Sequence, residues 1–192
     1  MPSSPSRPRN AAATRAAILQ SAIGHFADAG YDGVGVRQIA TDAGVTAMLV
    51  NRYFGSKEKL FAEAVETAFA PPVFVVEDSD TLAGDTAATL VSRTGASGNP
   101  PQSFLIMLLS VSNPVAVRIV REAIERHVGQ RLARQIDLPD RELRAELVLS
   151  VISGVLLMRS VIGTPALREG DPEAIAGILE SVFDAIIGTS TE

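Results

Sequence analysis

The sequence contains no cysteine and no tryptophan, and only two of its 192 residues are histidines. Without thiols, disulfide bonds and thiolate metal sites are excluded, which is a composition that suits the reducing cytosol. His25 and His127 are far apart in the chain and no Glu-x-x-His pair occurs, so a carboxylate metal site in a helical bundle is poorly supported. Composition therefore argues against metal-based or thiol-based chemistry.

Lysine is also scarce, and the net charge of −5 has the wrong sign for a protein that binds a polyanion. The charge is unevenly distributed, however. Residues 1–60 carry seven basic and four acidic side chains, whereas the rest carries ten basic and eighteen acidic ones. Both lysines, Lys57 and Lys59, fall in the basic part. Because phosphate contact depends on local rather than total charge, the first 60 residues are the candidate nucleic-acid-binding part.

Long apolar runs are missing as well. Residues 1–10 are rich in Pro, Ser and Arg and lack the apolar core of a secretory signal. The most apolar segment, residues 147–158, is too short to span a bilayer and is better interpreted as a buried helix. Hydrophobic residues make up 46% of the chain, which is enough for a sizeable core. We therefore expect a cytoplasmic protein with no membrane contact.

Residues 36–54, VRQIATDAGVTAMLVNRYF, predict two short helices joined by a tight turn. Ile39 and Ala43 lie four residues apart, on one face of the first helix. Gly44 follows at a position where a helix can end in a left-handed conformation, and Thr46 is a favourable cap for the second helix. The pattern is typical of a helix-turn-helix, whose second helix enters the DNA major groove, although an ordinary helical hairpin would show it too.

The remaining chain has helical periodicity throughout, interrupted by loops at the Pro-Pro pair 71–72, at residues 73–80 and at residues 95–101. The fold class is therefore predicted to be all-α. Predicted helices cover residues 14–29, 56–70, 81–94, 101–110, 113–136 and 139–162, with a final helix starting at residue 171. The last two helices are so largely apolar that one small body would not need to bury both of their faces.

The segment from Thr14 to Phe61 resembles the DNA-binding domain of the TetR (tetracycline-repressor) family of bacterial regulators. The matching stretches are TRAAILQSAIGHFADAGYDG, VRQIATDAGVT and RYFGSKEKLF. The resemblance implies an amino-terminal three-helix helix-turn-helix domain at residues 14–60 and a carboxy-terminal helical bundle at residues 61–188. We expect residues 1–13 to form a disordered arm, whose arginines either contact DNA or have no role.

The resemblance also implies a function. It predicts a homodimeric transcriptional regulator without a cofactor, most often a repressor, which a small apolar ligand releases from a pseudo-palindromic double-stranded operator. One alternative is a regulator that binds DNA constitutively, without a ligand. The other is a helical enzyme or cofactor carrier, but no nucleophile and base set, phosphate loop or metal spacing supports that alternative.

The resemblance assigns candidate site residues to three groups. DNA contacts are expected from Arg37, Thr46, Ala47, Met48, Asn51, Arg52, Tyr53 and Lys57. Candidate walls and anchors of a ligand pocket are Phe69, Phe74, Phe104, Met107, Leu108, Val111 and Arg159. A dimer interface is expected from Leu147, Val151, Val155, Ile175, Leu179, Val182 and Phe183. The recognition helix departs from the common family pattern at Leu49, Asn51 and Arg52, so the operator sequence does not follow from that of a relative.

Overall fold

The computed structural model describes residues 7–71, 73–74, 81–95 and 98–188, with side chains described from residue 11 onward. Over these ranges the protein consists of helices and turns, as predicted for an all-α fold. The amino-terminal helices are α1 Arg7–Ala29, α2 Val36–Asp42, α3 Ala47–Phe54 and α4 Lys57–Phe69. The later α-helices are α5 Leu82–Arg93, α6 Gln102–Ser110, α7 Pro114–Ile124, α8 Gln130–Ala133, α9 Arg141–Leu156, α10 Pro165–Glu169 and α11 Pro172–Ile187.

Two π-helical segments extend α-helices of this set. Glu125–Gly129 continues α7 into α8, and Leu157–Ile162 continues α9. The predicted long helices at residues 113–136 and 139–162 are therefore present, but each contains a stretch of wider turns. The short helix α10 was not predicted. It begins at Pro165, where proline is tolerated because the first helical amide has no intrahelical partner.

The first helix begins at Arg7 rather than at the predicted Thr14. The predicted disordered arm is therefore wrong for residues 7–13, and residues 1–6 lie outside the described part of the chain. The reason is local, since residues 11–13 are three consecutive alanines, and alanine has the highest helix propensity of all residues. Pro8 does not oppose this start because it falls in the first helical turn.

Five helix starts were predicted from capping residues; the one at Thr14 is wrong, and the other four are confirmed. Thr46, Ser56, Asn113 and Asp171 each accept a hydrogen bond from a backbone amide two or three residues further on, at 3.0–3.3 Å. Such bonds satisfy amides that have no carbonyl partner inside the helix. Because a cap involves only its own neighbours, these starts are readable from sequence.

The chain forms two compact units, which differ from the expected division at residue 60. Unit 1 comprises Met1–Ala70 and Gln102–Ala123, and unit 2 comprises Pro71–Pro101 and Ile124–Glu192. Helices α4, α6 and most of α7 therefore pack with the helix-turn-helix rather than with the later helices. Sequence alone did not reveal this because α6 joins unit 1 through contacts with α1, which is far away in the chain.

Unit 1 is built around the aromatic side chains of Phe26, Tyr31 and Phe61. The Phe26 and Tyr31 rings each lie 4.9 Å from the Phe61 ring, in edge-to-face geometry. Gly30 ends α1 with a φ of +67°, the left-handed conformation typical of a helix end, and a side chain there would overlap the carbonyl of Leu109 in α6. The close approach of α1 and α6 thus requires glycine at this position.

Unit 2 is organised around the packing of α11 against α5, with α9 beside them. Leu90 of α5, Val148 of α9 and Phe183 of α11 are fully buried. The guanidinium group of Arg144 in α9 donates a hydrogen bond to the carbonyl of Ile186 near the end of α11. Helix ends have carbonyls without intrahelical partners, so this bond ties α9 to a group that would otherwise be unsatisfied.

Candidate nucleic-acid interface

Helices α2 and α3 form the predicted helix-turn-helix within unit 1. Gly44 has a φ of +67°, and its amide donates to the Thr41 carbonyl at 3.1 Å. The Val45 amide donates to the Ala40 carbonyl at 2.8 Å, which closes the turn. The hydroxyl of Ser21 in α1 donates to the Ile39 carbonyl at 3.1 Å, so α1 supports α2 from behind. The turn is therefore held by backbone bonds that do not involve the outward side chains.

One face of α3 is anchored in the core and the opposite face is exposed. Val50 and Phe54 are buried, which fixes the rotation of the helix about its axis. Asn51 and Arg52 are exposed on the other side, and Met48 is 79% exposed. Guanidinium and carboxamide groups can each make two parallel hydrogen bonds to a base edge, and a thioether chain can contact a thymine methyl. The exposed face thus carries the groups needed to read base pairs.

The other predicted DNA contacts occupy the borders of this face. Arg37 of α2 and Thr46 are exposed, whereas Ala47 and Tyr53 are half-buried. The Thr46 hydroxyl already accepts the amide of Leu49 as a helix cap. The structure thus places Arg37 and Arg52 as exposed cations on α2 and α3.

Lys57 was predicted to contact a DNA phosphate, and its ammonium group already has a partner within the protein. It is half-buried, and its ammonium group lies 4.5 Å from the centre of the Tyr31 ring, in a cation–π arrangement. Burial of the Tyr31 phenol, followed by the charges of Glu58 and Asp32, raises its pKa above the usual value. Lys59, which was not predicted as a contact, is exposed on the same helix, α4. Its position two residues after Lys57 is the sequence feature from which it could have been proposed as a further contact.

Arg15 of α1 and Arg118 of α7 are basic residues of unit 1 that form ion pairs within the unit. Arg15 pairs with Glu63 of α4, and its guanidinium carbon lies 4.7 Å from the centre of the Phe54 ring. Arg118 pairs with Glu58 at 3.1 Å. These arginines therefore orient α4 relative to α1 and α7, whereas Arg37 of α2, Arg52 of α3 and Lys59 of α4 are exposed.

The predicted ligand residues are divided between the two units. Phe69, Phe104, Met107, Leu108 and Val111 belong to unit 1, where α6 packs on α1 and α4. Val111 lies in the turn after α6 and is 62% exposed. Phe104 is buried, and the other three are half-buried. Phe74 and Arg159 belong to unit 2.

The predicted dimer residues divide into two classes. Leu147 and Val182 are exposed, and Val151, Val155 and Ile175 are half-buried. Leu179 and Phe183 are buried and belong to the core that α11 shares with α5, so they are already covered within the protomer. Further exposed apolar residues of unit 2 are Leu143, Met158, Val161, Ile162 and Ile178. Periodicity identifies apolar faces but not which of two apolar faces is covered inside the protomer.

Helix α9 and its π-helical continuation together span Arg141–Ile162. They extend beyond the apolar segment 147–158 at both ends. By length and composition alone this is the one described helix that could cross a membrane, and only 28% of its most apolar window is buried. A single such helix is weak evidence, because an apolar face that covers a partner helix has the same composition.

Comparison with protein families gives two matches, which together span most of the chain. Residues 18–64 match the profile of bacterial regulatory proteins of the tetR family. Residues 80–187 match the profile of the tetracyclin repressor-like carboxy-terminal domain. Comparison with curated proteins gave no significant match.

Solved structures of similar fold include a TetR-family regulator from Streptomyces coelicolor A3, at 26% identity and a TM-score of 0.54, covering 98% of this chain and 99% of that one. The multidrug binding protein EbrR, solved with proflavin, is 22% identical with a TM-score of 0.58, over 88% and 99% of the two chains. A transcriptional regulator from a Rhodococcus species is 23% identical with a TM-score of 0.62, over 91% and 96%. With both family profiles matched and the helix-turn-helix in place, the chain belongs to the TetR family of bacterial regulatory proteins.

Proposed function

We propose that this DNA-binding regulator is a homodimeric, cytoplasmic repressor that a small molecule releases from a pseudo-palindromic operator. A second candidate function, a constitutive regulator or an enzyme, has no observation in its favour. The proposal is supported most directly by the exposed face of α3, and the remaining parts follow from the apolar surface of α9 and α11 and from the ligand-bound relatives.

The exposed face of α3 is the main support for the proposal. Packing within the protomer does not explain why these side chains occupy that face. Met48 is an apolar residue at 79% exposure, next to a core that already uses Val50 and Phe54. The side chains of Asn51 and Arg52 extend from the same helix and form no hydrogen bond or ion pair with the described residues. We assign Arg52 to a guanine, Asn51 to an adenine and Met48 to a thymine methyl.

The dimer part of the proposal rests on the uncovered apolar residues of unit 2. Leu143 and Leu147 of α9 lie four residues apart, hence on one helical face, and are 58% and 47% exposed. Ile178 and Val182 of α11 show the same spacing and are 67% and 38% exposed. A second copy of the chain would cover both pairs in an isologous interface. Its two-fold axis would place two α3 helices about 34–36 Å apart, in successive major grooves.

The ligand part is supported by relatives. EbrR has been solved with proflavin and with ethidium, so a protein of this fold accommodates a small molecule. For this chain we propose that an effector binds the state that is off the DNA more tightly than the state that is on it. A ligand with equal affinity for the two states would not shift the equilibrium between them.

The proposal is tested by selecting bound sequences from a random double-stranded DNA pool and then measuring the affinity of variants for the selected site. Arg52→Ala is expected to weaken specific binding by about 1–3 kcal/mol, which is roughly 5-fold to 150-fold, and to relax one base position. Arg121→Ala removes the same charge from an exposed position on α7 and is the matched control, with affinity expected to stay within about twofold.

A third variant separates base reading from phosphate contact. Lys59→Ala should weaken binding to all sequences about equally and reduce the salt dependence by about one phosphate contact. If Arg52→Ala and Arg121→Ala have the same effect, α3 does not read bases in the way proposed. If the protein selects no DNA sequence at all, the operator-binding proposal fails as a whole.

A further inference from the structure

Arg159 is a buried cation in unit 2 without an acidic partner among the described residues. The side chain lies in the π-helical segment Leu157–Ile162, and the residue is 4% exposed. Its Nη1 donates to the Val91 carbonyl at 2.9 Å and to the Thr94 hydroxyl at 3.0 Å, both on α5 or its end. Its Nε is buried and has no hydrogen-bond partner. A neutral carbonyl and a hydroxyl are thus its only described partners.

These bonds use one end of the guanidinium group and leave one edge free. Nη1 donates both bonds, Nε is buried without a partner, and Nη2 makes no hydrogen bond to the described residues. Nε and Nη2 present two parallel N–H groups on the same edge, and that edge matches the two oxygens of a carboxylate. The free edge is therefore the one that forms bidentate pairs with carboxylates in proteins.

A structural role accounts for only part of this arrangement. Val91 and Thr94 lie at the end of α5, where unpaired carbonyls and the helix dipole favour a cation. That role explains the two hydrogen bonds of Nη1. It does not explain why Nε is buried without a partner. Burying an ionised group without a counter-charge is costly, so such groups are normally paired. The same burial lowers the pKa of Arg159.

Among the described residues of unit 2, two further buried polar groups lack a hydrogen-bond partner. The Ser160 hydroxyl follows Arg159 directly in the chain, and the Thr86 hydroxyl lies on α5. Thr86 and Thr94 are eight residues apart, so they share one helical face about 12 Å apart along the axis. The other buried residues of α5 are apolar, including Leu90 and Val91. π-helical segments in α-helices often mark functional sites, and this one carries Arg159 and Ser160.

We propose that unit 2 binds an organic carboxylate through the Nε–Nη2 edge of Arg159, with the apolar body of the acid lying against α5. The effector is then an amphipathic acid, whereas the sequence analysis predicted only a small apolar ligand. This inference rests on the proposed ligand response of the regulator and names the chemical class of its ligand. It does not depend on the DNA contacts of unit 1.

The test compares acids with neutral molecules of the same shape on the full-length protein at neutral pH. Octanoate is paired with octanamide, benzoate with benzamide, and inorganic phosphate serves as an anion without an apolar body. At millimolar concentrations one or both carboxylates should raise Tm by at least about 2 °C more than the matched amide, because a ligand of the native state adds stability. Equal shifts from acid and amide, no shift, or an equal shift from phosphate would overturn the proposal.

Two variants assign the effect to Arg159. Arg159→Met keeps the length of the side chain without its charge and should abolish the difference between acid and amide. Arg159→Lys keeps the charge but loses the two-pronged edge, and it should reduce the affinity for the carboxylate about tenfold. If Arg159→Met does not fold, the lysine variant and the wild-type acid–amide pairs still decide the outcome. A carboxylate effect that both variants retain in full would also overturn the proposal.

DNA binding distinguishes failure of this inference from failure of the proposed function. Without added acid, Arg159→Lys should bind the selected operator as tightly as the wild type, because Arg159 lies outside the unit that contains α3. Operator binding with no preference for carboxylates refutes the carboxylate site alone. A protein that binds carboxylates but selects no DNA refutes the proposed function and leaves the site intact.

Discussion

Three glycine-to-alanine substitutions in unit 1 test the close packing of α1 on α6. Gly30 combines a φ of +67° with a tight environment, since a Cβ there would lie 2.1 Å from the Leu109 carbonyl oxygen. Gly44 has the same φ of +67° but no atom within 4 Å of a Cβ. Gly24 lies inside α1 and also has open space around a Cβ. The three sites therefore separate backbone strain, steric overlap and helix propensity.

The expected changes in the free energy of unfolding follow from those differences. Gly24→Ala should stabilise the protein by about 0.5–1 kcal/mol, because alanine favours a helix interior. Gly44→Ala should destabilise it by about 1 kcal/mol, because a left-handed conformation costs about 1–2 kcal/mol and the stiffer unfolded chain recovers part of that. Gly30→Ala adds overlap with a backbone oxygen, so its cost should reach about 2–4 kcal/mol.

The assay is thermal and urea unfolding of each variant, followed by helical circular dichroism at one fixed protein concentration. For a chain of this size 1 kcal/mol corresponds to about 2–4 °C in Tm, so Gly30→Ala should lower Tm by roughly 4–16 °C. If Gly30→Ala costs no more than Gly44→Ala, α1 does not approach α6 as closely as described. A destabilising Gly24→Ala would refute the reasoning about helix propensity at the control site.

Three further predictions concern other parts of the molecule. Leu147→Glu places a charge on the exposed apolar face of α9 and should shift the protein from dimer to monomer in sedimentation, whereas Gln130→Glu, on an exposed position of α8, should not. Asn113→Ala removes the α7 cap and should lower the free energy of unfolding by about 1–2 kcal/mol, and retention of wild-type stability would contradict the capping role. In Tyr53→Phe the single remaining phenol, Tyr31, should titrate above its ordinary pKa in ultraviolet absorbance, because burial and neighbouring acids disfavour the phenolate. Since the raised pKa belongs to the folded state, Tyr31 adds stability below its unfolded pKa of about 10, and this stability is lost as pH rises through the folded value.

The helix-turn-helix was largely predictable because its determinants are local. The caps Thr46 and Ser56 act on amides three residues away, and the turn at Gly44 needs only a residue that tolerates positive φ. The outward direction of Asn51 and Arg52 follows from their spacing relative to the buried Val50, since helical periodicity fixes which side chains share a face.

The surroundings of several predicted site residues depend on contacts between distant segments. Phe183 and Ile178 are both apolar residues of α11, yet Phe183 is fully buried and Ile178 is 67% exposed. Their periodicity is compatible with either face being inside, and only the position of α5 selects one of them. Lys57 is predicted to contact a phosphate, and the placement of Tyr31 after the end of α1 gives its ammonium group an aromatic partner that the sequence did not reveal.

Short-range chemistry in the sequence thus specified the all-α class, the capped helix starts and the reading face of α3, because each involves residues at most four positions apart. The tertiary structure decided that α6 packs with the helix-turn-helix, which apolar faces of α9 and α11 are left uncovered, and that Arg159 is buried. Those outcomes depend on which helices meet, and a burial pattern set by long-range packing cannot be read from one helix at a time.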